Sequence, residues 1–328
     1  MQINPHLEIS SEFPNVRFHP WHWLRQTWAT NRPLTVLIIA MAVMLPVALV
    51  GLAADPRMIT DAPAWLKPFK FIMSFGIYSV TLLWLLTFVT GRRLRRIAGV
   101  ISALTAIASV IEVGLIAAQA ARGVTSHFNF ATPLDGTLFQ IMGVSVVVIA
   151  AMNMITLIVL AVQKMSQRAL AWSARLGLLI SFVGMLSAAL MLQPTAEQLR
   201  QAQVGNVQAM GAHSVGVADG GPGLPIVGWS TVGGDLRVAH FVGMHAMQLV
   251  PLAGWLISRR RRISEKRQVL LVVVTATAYL ALVITLAWQA MRGQSVVAPD
   301  VATLAIEVAI LFTFIGVGVA AVRWGRAS

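Results

Sequence analysis

Residues 34–54 read LTVLIIAMAVMLPVALVGLAA, a stretch with no charged side chain. A bilayer core about 30 Å thick takes about 20 apolar residues of helix to cross, so this run predicts a transmembrane span. Seven comparable runs follow, at about 69–90, 97–119, 137–163, 170–192, 238–257, 268–290 and 301–322. A membrane barrel would instead show segments of about ten residues with alternating polarity, and none occurs. The expected fold is an all-α integral membrane protein of about eight transmembrane helices.

Composition agrees. Of the 328 residues, 57% are apolar and only 11% charged, against about 25% charged in a soluble domain. The mean hydropathy is +0.75. The chain has no cysteine, which excludes disulfides, thiolate metal sites and thiol nucleophiles together. The polar, mixed first 33 residues and the long first apolar run argue against a cleavable signal.

The net charge of +13 is placed to orient the chain, and nucleic-acid binding is not needed to explain it. With the N-terminus inside, the inner segments hold Arg17, Arg25 and Arg32; the Arg92, Arg93, Arg95 and Arg96 cluster; Lys164, Arg168 and Arg175; Arg259 to Arg262, Lys266 and Arg267; and Arg323 and Arg326. That is eighteen of the 25 basic residues. Short loops rich in Lys and Arg stay cytoplasmic, so both termini are expected in the cytoplasm. Aromatics beside basic residues in Phe18–Trp28 predict an interfacial anchor before the first span. In that segment His19 and His22 are too weakly spaced to imply a metal.

A repeat is legible at an offset of 170 residues. Leu66-Lys67 matches Leu236-Arg237, Phe71 matches Phe241, the Arg92–Arg96 cluster matches 262–266, and Gln119-Ala-Ala-Arg122-Gly123 matches Gln289-Ala-Met-Arg292-Gly293. The polar match is the informative one, because Ala and Leu recur by chance in apolar helices. With four spans per half, both halves enter from the same side, giving a parallel repeat. The expected organisation is a segment 1–33, a first half 34–163, and a second half 170–323 with an extracytoplasmic loop 193–237. The Gly- and Pro-rich loop is too long for a plain connection and predicts a packed lid. It lacks the Gly-Lys-Ser/Thr ending of a phosphate loop.

The stretches Arg122-Gly-Val-Thr-Ser-His-Phe-Asn129 and Gly233-Gly-Asp-Leu-Arg-Val-Ala-His-Phe-Val-Gly-Met-His-Ala-Met-Gln248 resemble a group of uncharacterised bacterial multipass proteins. The resemblance covers about the whole chain after the N-terminal segment. It implies a bacterial inner-membrane protein and carries over no function.

Ionisable groups inside a span are costly unless partnered, so they are functional candidates. Glu112, His245 and Glu307 each lie about seven residues from one end of a span, or about 10 Å deep, and are expected to form one intramembrane polar layer. Their partners at the 170-residue offset are Leu282, Phe75 and Thr137, so they are specialisations of one half or the other. A second polar set is expected in an outward-facing vestibule: His127, His240, Arg237, Arg122, Arg292, Lys70, Lys67, Asp235, His213 and Asp219.

Three chemistries compete for these residues. Glu112, Glu307 and His245 could relay protons in a small-solute transporter, or simply bond helices together. His127, His240 and His245 could hold a divalent metal for a hydrolase or redox centre, though a spacing of five turns His240 and His245 about 140° apart on a helix. The cations could capture an anionic small molecule or lipid headgroup, or merely snorkel to lipid phosphates; a lipid-binding accessory subunit would use loop 193–237 for contact. Met152-Asn-Met154 and Met244-His-Ala-Met247 could suggest copper or haem, but Met more often fills apolar gaps. Asn153 is expected to bond across helices. Ser126 beside His127 implies no catalytic pair, since such pairs are judged by geometry.

Overall fold

The computed structural model describes residues 20–260 and 262–323; Arg17, Phe18, His19, Arg261 and Arg326 lie outside them. The described chain is almost wholly helical: α1 (Pro20–Thr30), α2 (Arg32–Ala54), α3 (Leu66–Leu86), α4 (Arg92–Arg122), α5 (Pro133–Val162), α6 (Arg168–Ser187), α7 (Ala196–Gln203), α8 (Leu236–Met244), α9 (Ala246–Ser258), α10 (Glu265–Met291) and α11 (Val301–Arg323). A 3-10 turn, Ala188–Leu192, continues α6, and there are two antiparallel pairs of two-residue strands, β1 (Met58–Ile59) with β2 (Ala62–Pro63) and β3 (Ser214–Val215) with β4 (Gly234–Asp235).

Seven of these helices are long and apolar enough to cross a membrane, and the pair α8–α9, bent by 42°, counts as an eighth if taken as one span. The chain is a multipass membrane protein of the all-α class. Each expected run falls on one of these helices. What hydropathy did not foretell is the break in the sixth run, where His245 ends α8 and starts α9.

Local chemistry sets the helix ends. Asn31 caps α2, its side chain accepting from the Leu34 amide at 3.1 Å, with Pro33 in the first turn. Thr132 caps α5 by accepting from the Asp135 amide at 3.1 Å. Each satisfies a donor that the first helical turn leaves without a partner. α4 stops at Gly123 and α10 at Gly293, with φ of 73° and 72°, the left-handed conformation glycine adopts without a Cβ clash.

Packing follows chain order. α2 lies against α3 and α4, and α4 against α5; α6 lies against α8, α9 and α10, and α10 against α11. α5 meets α6 and α3 touches α9, which joins the two sets. α6 and α8 cross where Gly184 meets Gly243, so closely that a Cβ on either would run into the other's backbone. α11 sits at the rim, with only Thr303 and Ala321 buried.

The 193–235 segment is ordered. α7 starts with a reciprocal capping box between Thr195 and Gln198, and β3 pairs with β4. The segment packs over the α4–α5 corner: the Phe130 amide donates to Gln208 O at 2.9 Å and the Met210 amide to Phe128 O at 3.0 Å. Lys70 Nζ donates to Val227 O at 2.9 Å. The segment therefore covers the α4–α5 corner and reaches the first turns of α3.

Candidate functional site

Glu112 lies within α4 and is fully buried. Three to four residues apart along the same face run Ser102, Thr105 and Ser109, all buried. Neither Glu112 carboxyl oxygen has a hydrogen-bond partner among the described residues. The ring of His127 approaches it, with Nε2 3.4 Å from Oε1.

His127 gets there because the chain reverses sharply after α4. Gly123 turns it, Asn129 Nδ2 donates to Thr125 O at 3.0 Å, the Ala131 amide donates to Asn129 Oδ1 at 3.0 Å, and Phe128 takes a positive φ of 59°. The ring is packed among Phe71, Phe128 and Phe139, with centroids 6.0, 6.2 and 5.9 Å away. Its other nitrogen, Nδ1, lies 3.0 Å from Ser126 Oγ. Burial, with the nearby charges of Lys67, His213 and His240, holds the His127 ring well below the usual histidine value. It is therefore neutral at physiological pH.

Lys67, in the first turn of α3, interacts electrostatically with Glu112, Arg237, Lys70 and Asp219. From the long loop, His213 Nδ1 lies 2.6 Å from Asp219 Oδ2, and its ring packs on Phe128 at 5.0 Å. Burial lowers the His213 ring despite that bond. For Asp219, burial works upward, but hydrogen bonds from the His213 ring and from the His213 and Ser214 amides outweigh it and keep the carboxyl below the usual range. His240 Nδ1 donates to Gly184 O at 2.7 Å, which fixes its tautomer and leaves Nε2 as an acceptor.

The expected residues thus divide. His127, His213, His240, Lys67, Lys70 and Arg237 come together around Glu112 or in the loop above it. Arg237 is held by Asp235 at 2.6 Å and by Gly228 O. Glu112, His245 and Glu307 make no hydrogen bond, ion pair or ring contact with one another among the described residues. His245 meets Phe241 edge to face, with ring centroids 4.3 Å apart, beside the helix break. Glu307 sits half-exposed on the rim helix α11. A relay through those three has no contact to run through.

The metal triad is not assembled either. Among the described residues no three His, Asp or Glu side chains are placed to hold a metal ion; His240 turns to Gly184 and His245 to Phe241. The methionines behave as core, with Met152 and Met247 buried.

Arg122 and Arg292 prove to be clamps. Arg122 Nη1 donates to Asp135 Oδ1 at 2.6 Å and also to Gln119 Oε1. Arg292 pairs with Asp300 and reaches Thr303 Oγ1 at 3.3 Å. Both are committed to closing a helix–loop–helix corner, which removes them from an anion-capturing pair. Asp135 and Asp300 were not singled out from sequence, although Thr132-Pro-Leu-Asp135 and Asp300 just before α11 are recognisable helix starts. The spacing 102, 105, 109, 112 was equally open to detection.

Chemically, Ser126 Oγ, the His127 ring and the Glu112 carboxyl form a line from hydroxyl to acid. Ser126 is only 4% exposed, which keeps it from a bulky electrophile. Compared with known proteins, the chain matches no family model, no curated protein and no solved structure.

Proposed function

We propose that the protein is a proton-linked transporter of a small solute, with Glu112 as the proton-carrying group and His127 and Lys67 as the groups that sense its charge. One observation carries this reading: a fully buried carboxyl in the membrane layer, without a hydrogen bond, 3.4 Å from a histidine nitrogen. An unpartnered charge there costs several kcal/mol, whereas uptake of a proton by the carboxyl itself relieves it. A carboxyl that only glued helices would be hydrogen-bonded to a neighbour.

In this reading the protein sits in a bacterial inner membrane with both termini in the cytoplasm, which the distribution of eighteen of the 25 basic residues supports. It is built from two parallel halves, 34–163 and 170–323. Matching pairings support this, α4 against α5 and α10 against α11. So do matching bonds at the corners: Gln119 Nε2 reaches Thr125 O, and Gln289 Nε2 reaches Ser295 O, at the same offset. Loop 193–235 roofs the site and has to move for a solute to enter.

The test uses the full chain in proteoliposomes holding a pH-sensitive dye, offered pools of small polar solutes under an imposed pH gradient. A pool that moves protons with the wild type, and moves none with Glu112→Gln or empty vesicles, supports the reading. If no pool moves protons, or if Glu112→Gln moves them equally well, the reading is wrong.

A further inference from the structure

Serine and threonine inside a membrane helix usually give their hydroxyl hydrogen to their own helix, three or four residues back. This chain follows the habit widely. Ser79, Thr81, Ser102, Ser145, Thr156, Ser173, Thr275 and Thr285 all donate to such a carbonyl at 2.7–3.0 Å. Thr105 and Ser109 do not. Both are fully exposed to nothing but protein, at 0% accessibility, and neither hydroxyl has a partner among the described residues. They sit on the Glu112 face of α4, one and two turns below it.

Such hydroxyls cost about 1–3 kcal/mol each when left unpaired, and an intrahelical bond was open to both. Their common place on one face, ending at an acid that also lacks a bond, marks a route for small polar molecules. On the neighbouring helices α3 and α5, Tyr78 and Asn153 are buried and interact with each other, and Asn153 Nδ2 reaches Ser181 Oγ at 3.4 Å. At the bottom of the face Ser102 is saturated: its hydroxyl donates to Ala98 O and accepts from Asn31 Nδ2 at 2.6 Å. Asn31 caps α2 at the end of the bundle that carries the Arg92–Arg96 cluster.

The helix α10 serves as a control. At the 170-residue offset the same four positions are Val272, Thr275, Tyr279 and Leu282. There Thr275 bonds back to Leu271 O, Tyr279 OH donates to Val242 O at 2.7 Å, and the other two are apolar. At these four positions the helix in the matching place leaves no hydroxyl without a partner.

We propose that Thr105 and Ser109 line a file of water that carries protons between the Asn31–Ser102 pair and Glu112, over about 15 Å of helix. Buried polar groups without protein partners are the usual hosts of internal water. The Asn31–Ser102 bond closes its lower end. This route rests on the reading of Glu112 as the proton carrier and adds the side from which the proton comes.

The experiment follows Glu112 itself. In the reconstituted full chain, the infrared carboxylic-acid band that Glu112→Gln abolishes is watched after transfer to heavy water. Thr105→Val with Ser109→Ala should slow its exchange on the order of tenfold, the loss expected from removing about one hydrogen-bonded link. Ser109→Thr, which keeps a hydroxyl, should exchange at the wild-type rate. Wild-type exchange in the double variant overturns the route while leaving Glu112 in place. If the double variant fails to fold, the pair Ser109→Ala and Ser109→Thr decides: equal rates overturn the route, and slowing in the alanine variant alone supports it. A wild type without any Glu112-dependent band defeats the reading of the site instead.

Discussion

α4 and α10 are built to one plan at their ends and to two plans in their middles. Both close on a left-handed glycine, both return a glutamine to the carbonyl six residues on, and both anchor the next helix through an Arg–Asp pair. Between those ends α4 carries Ser102, Thr105, Ser109 and Glu112, whereas α10 carries Val272, Thr275, Tyr279 and Leu282. The corner is what the architecture needs. The buried acid and its unbonded hydroxyls are what α4 has and α10 lacks at these positions.

The corners themselves differ in depth, and that difference gives the largest expected effect. Asp135 has a side chain only 3% exposed, so removing its arginine leaves a carboxylate buried without its cation. Arg122→Met is expected to destabilise by about 3 kcal/mol or more, the range for breaking a buried pair. Thermal unfolding in lipid nanodiscs checks it. A shift within error would show that Thr132 and Gln119, which also bond Asp135, suffice without the cation.

Next comes an exchange of the two middles. Leu282→Glu places a carboxyl against the apolar cluster of Val238, Ala239 and Leu286 and should destabilise by about 2.5–3.5 kcal/mol, the cost of an acid at mid-helix depth. The reverse change, Glu112→Leu, should leave stability equal or higher, because a buried ionisable group is replaced by one that packs, and should abolish proton coupling. If Glu112→Leu unfolds the protein, Glu112 is holding helices together and the contrast between the two faces loses its functional meaning.

How much of this was legible in the sequence follows from which coordinate each signal measures. Apolar runs measure length, and every span was found by them; they do not measure direction, so the bend at His245 was invisible. The Gln–Arg-Gly match marks two helix ends, and α4 and α10 do each end beside a glycine of positive φ. Depth alone suggested that Glu112, His245 and Glu307 belong to one layer. Depth fixes one axis and leaves the position around the bundle free, and Glu112 turned out to meet His127, fifteen residues later, because Gly123 folds the chain back. The hydroxyl orientations of Thr105 and Ser109 have no sequence signal, since an unpaired serine and one bonded to its own backbone are written with the same letter.

A smaller effect tests the His127 corner against its counterpart, where the matching residue is Val297. The folded rings of His127 and His213 are held below the ordinary value of 6.5, chiefly by burial, so below about that pH the unfolded chain takes up protons that the folded chain refuses. Stability should therefore fall on acidification from about pH 6.5, by up to about 1.4 kcal/mol per pH unit for each ring until its own folded value is reached. Unfolding midpoints between about pH 7 and 5 read the slope. His127→Leu should remove one ring's share of it; an unchanged slope would place the effect elsewhere.

The smallest effect belongs to the second corner. Arg292 and Asp300 are each 37% exposed at their side chains, so water can replace either partner. Such exposed pairs contribute about 0–1 kcal/mol, and Asp300 keeps its capping bond from the Thr303 amide at 2.8 Å without the arginine. Arg292→Met is thus expected to cost less than about 1 kcal/mol, several-fold less than Arg122→Met, although both remove the same guanidinium from the same sequence pattern. Equal losses in the two variants would mean that the corners are alike in energy as well as in bonding, and that burial of Asp135 does not set the first apart.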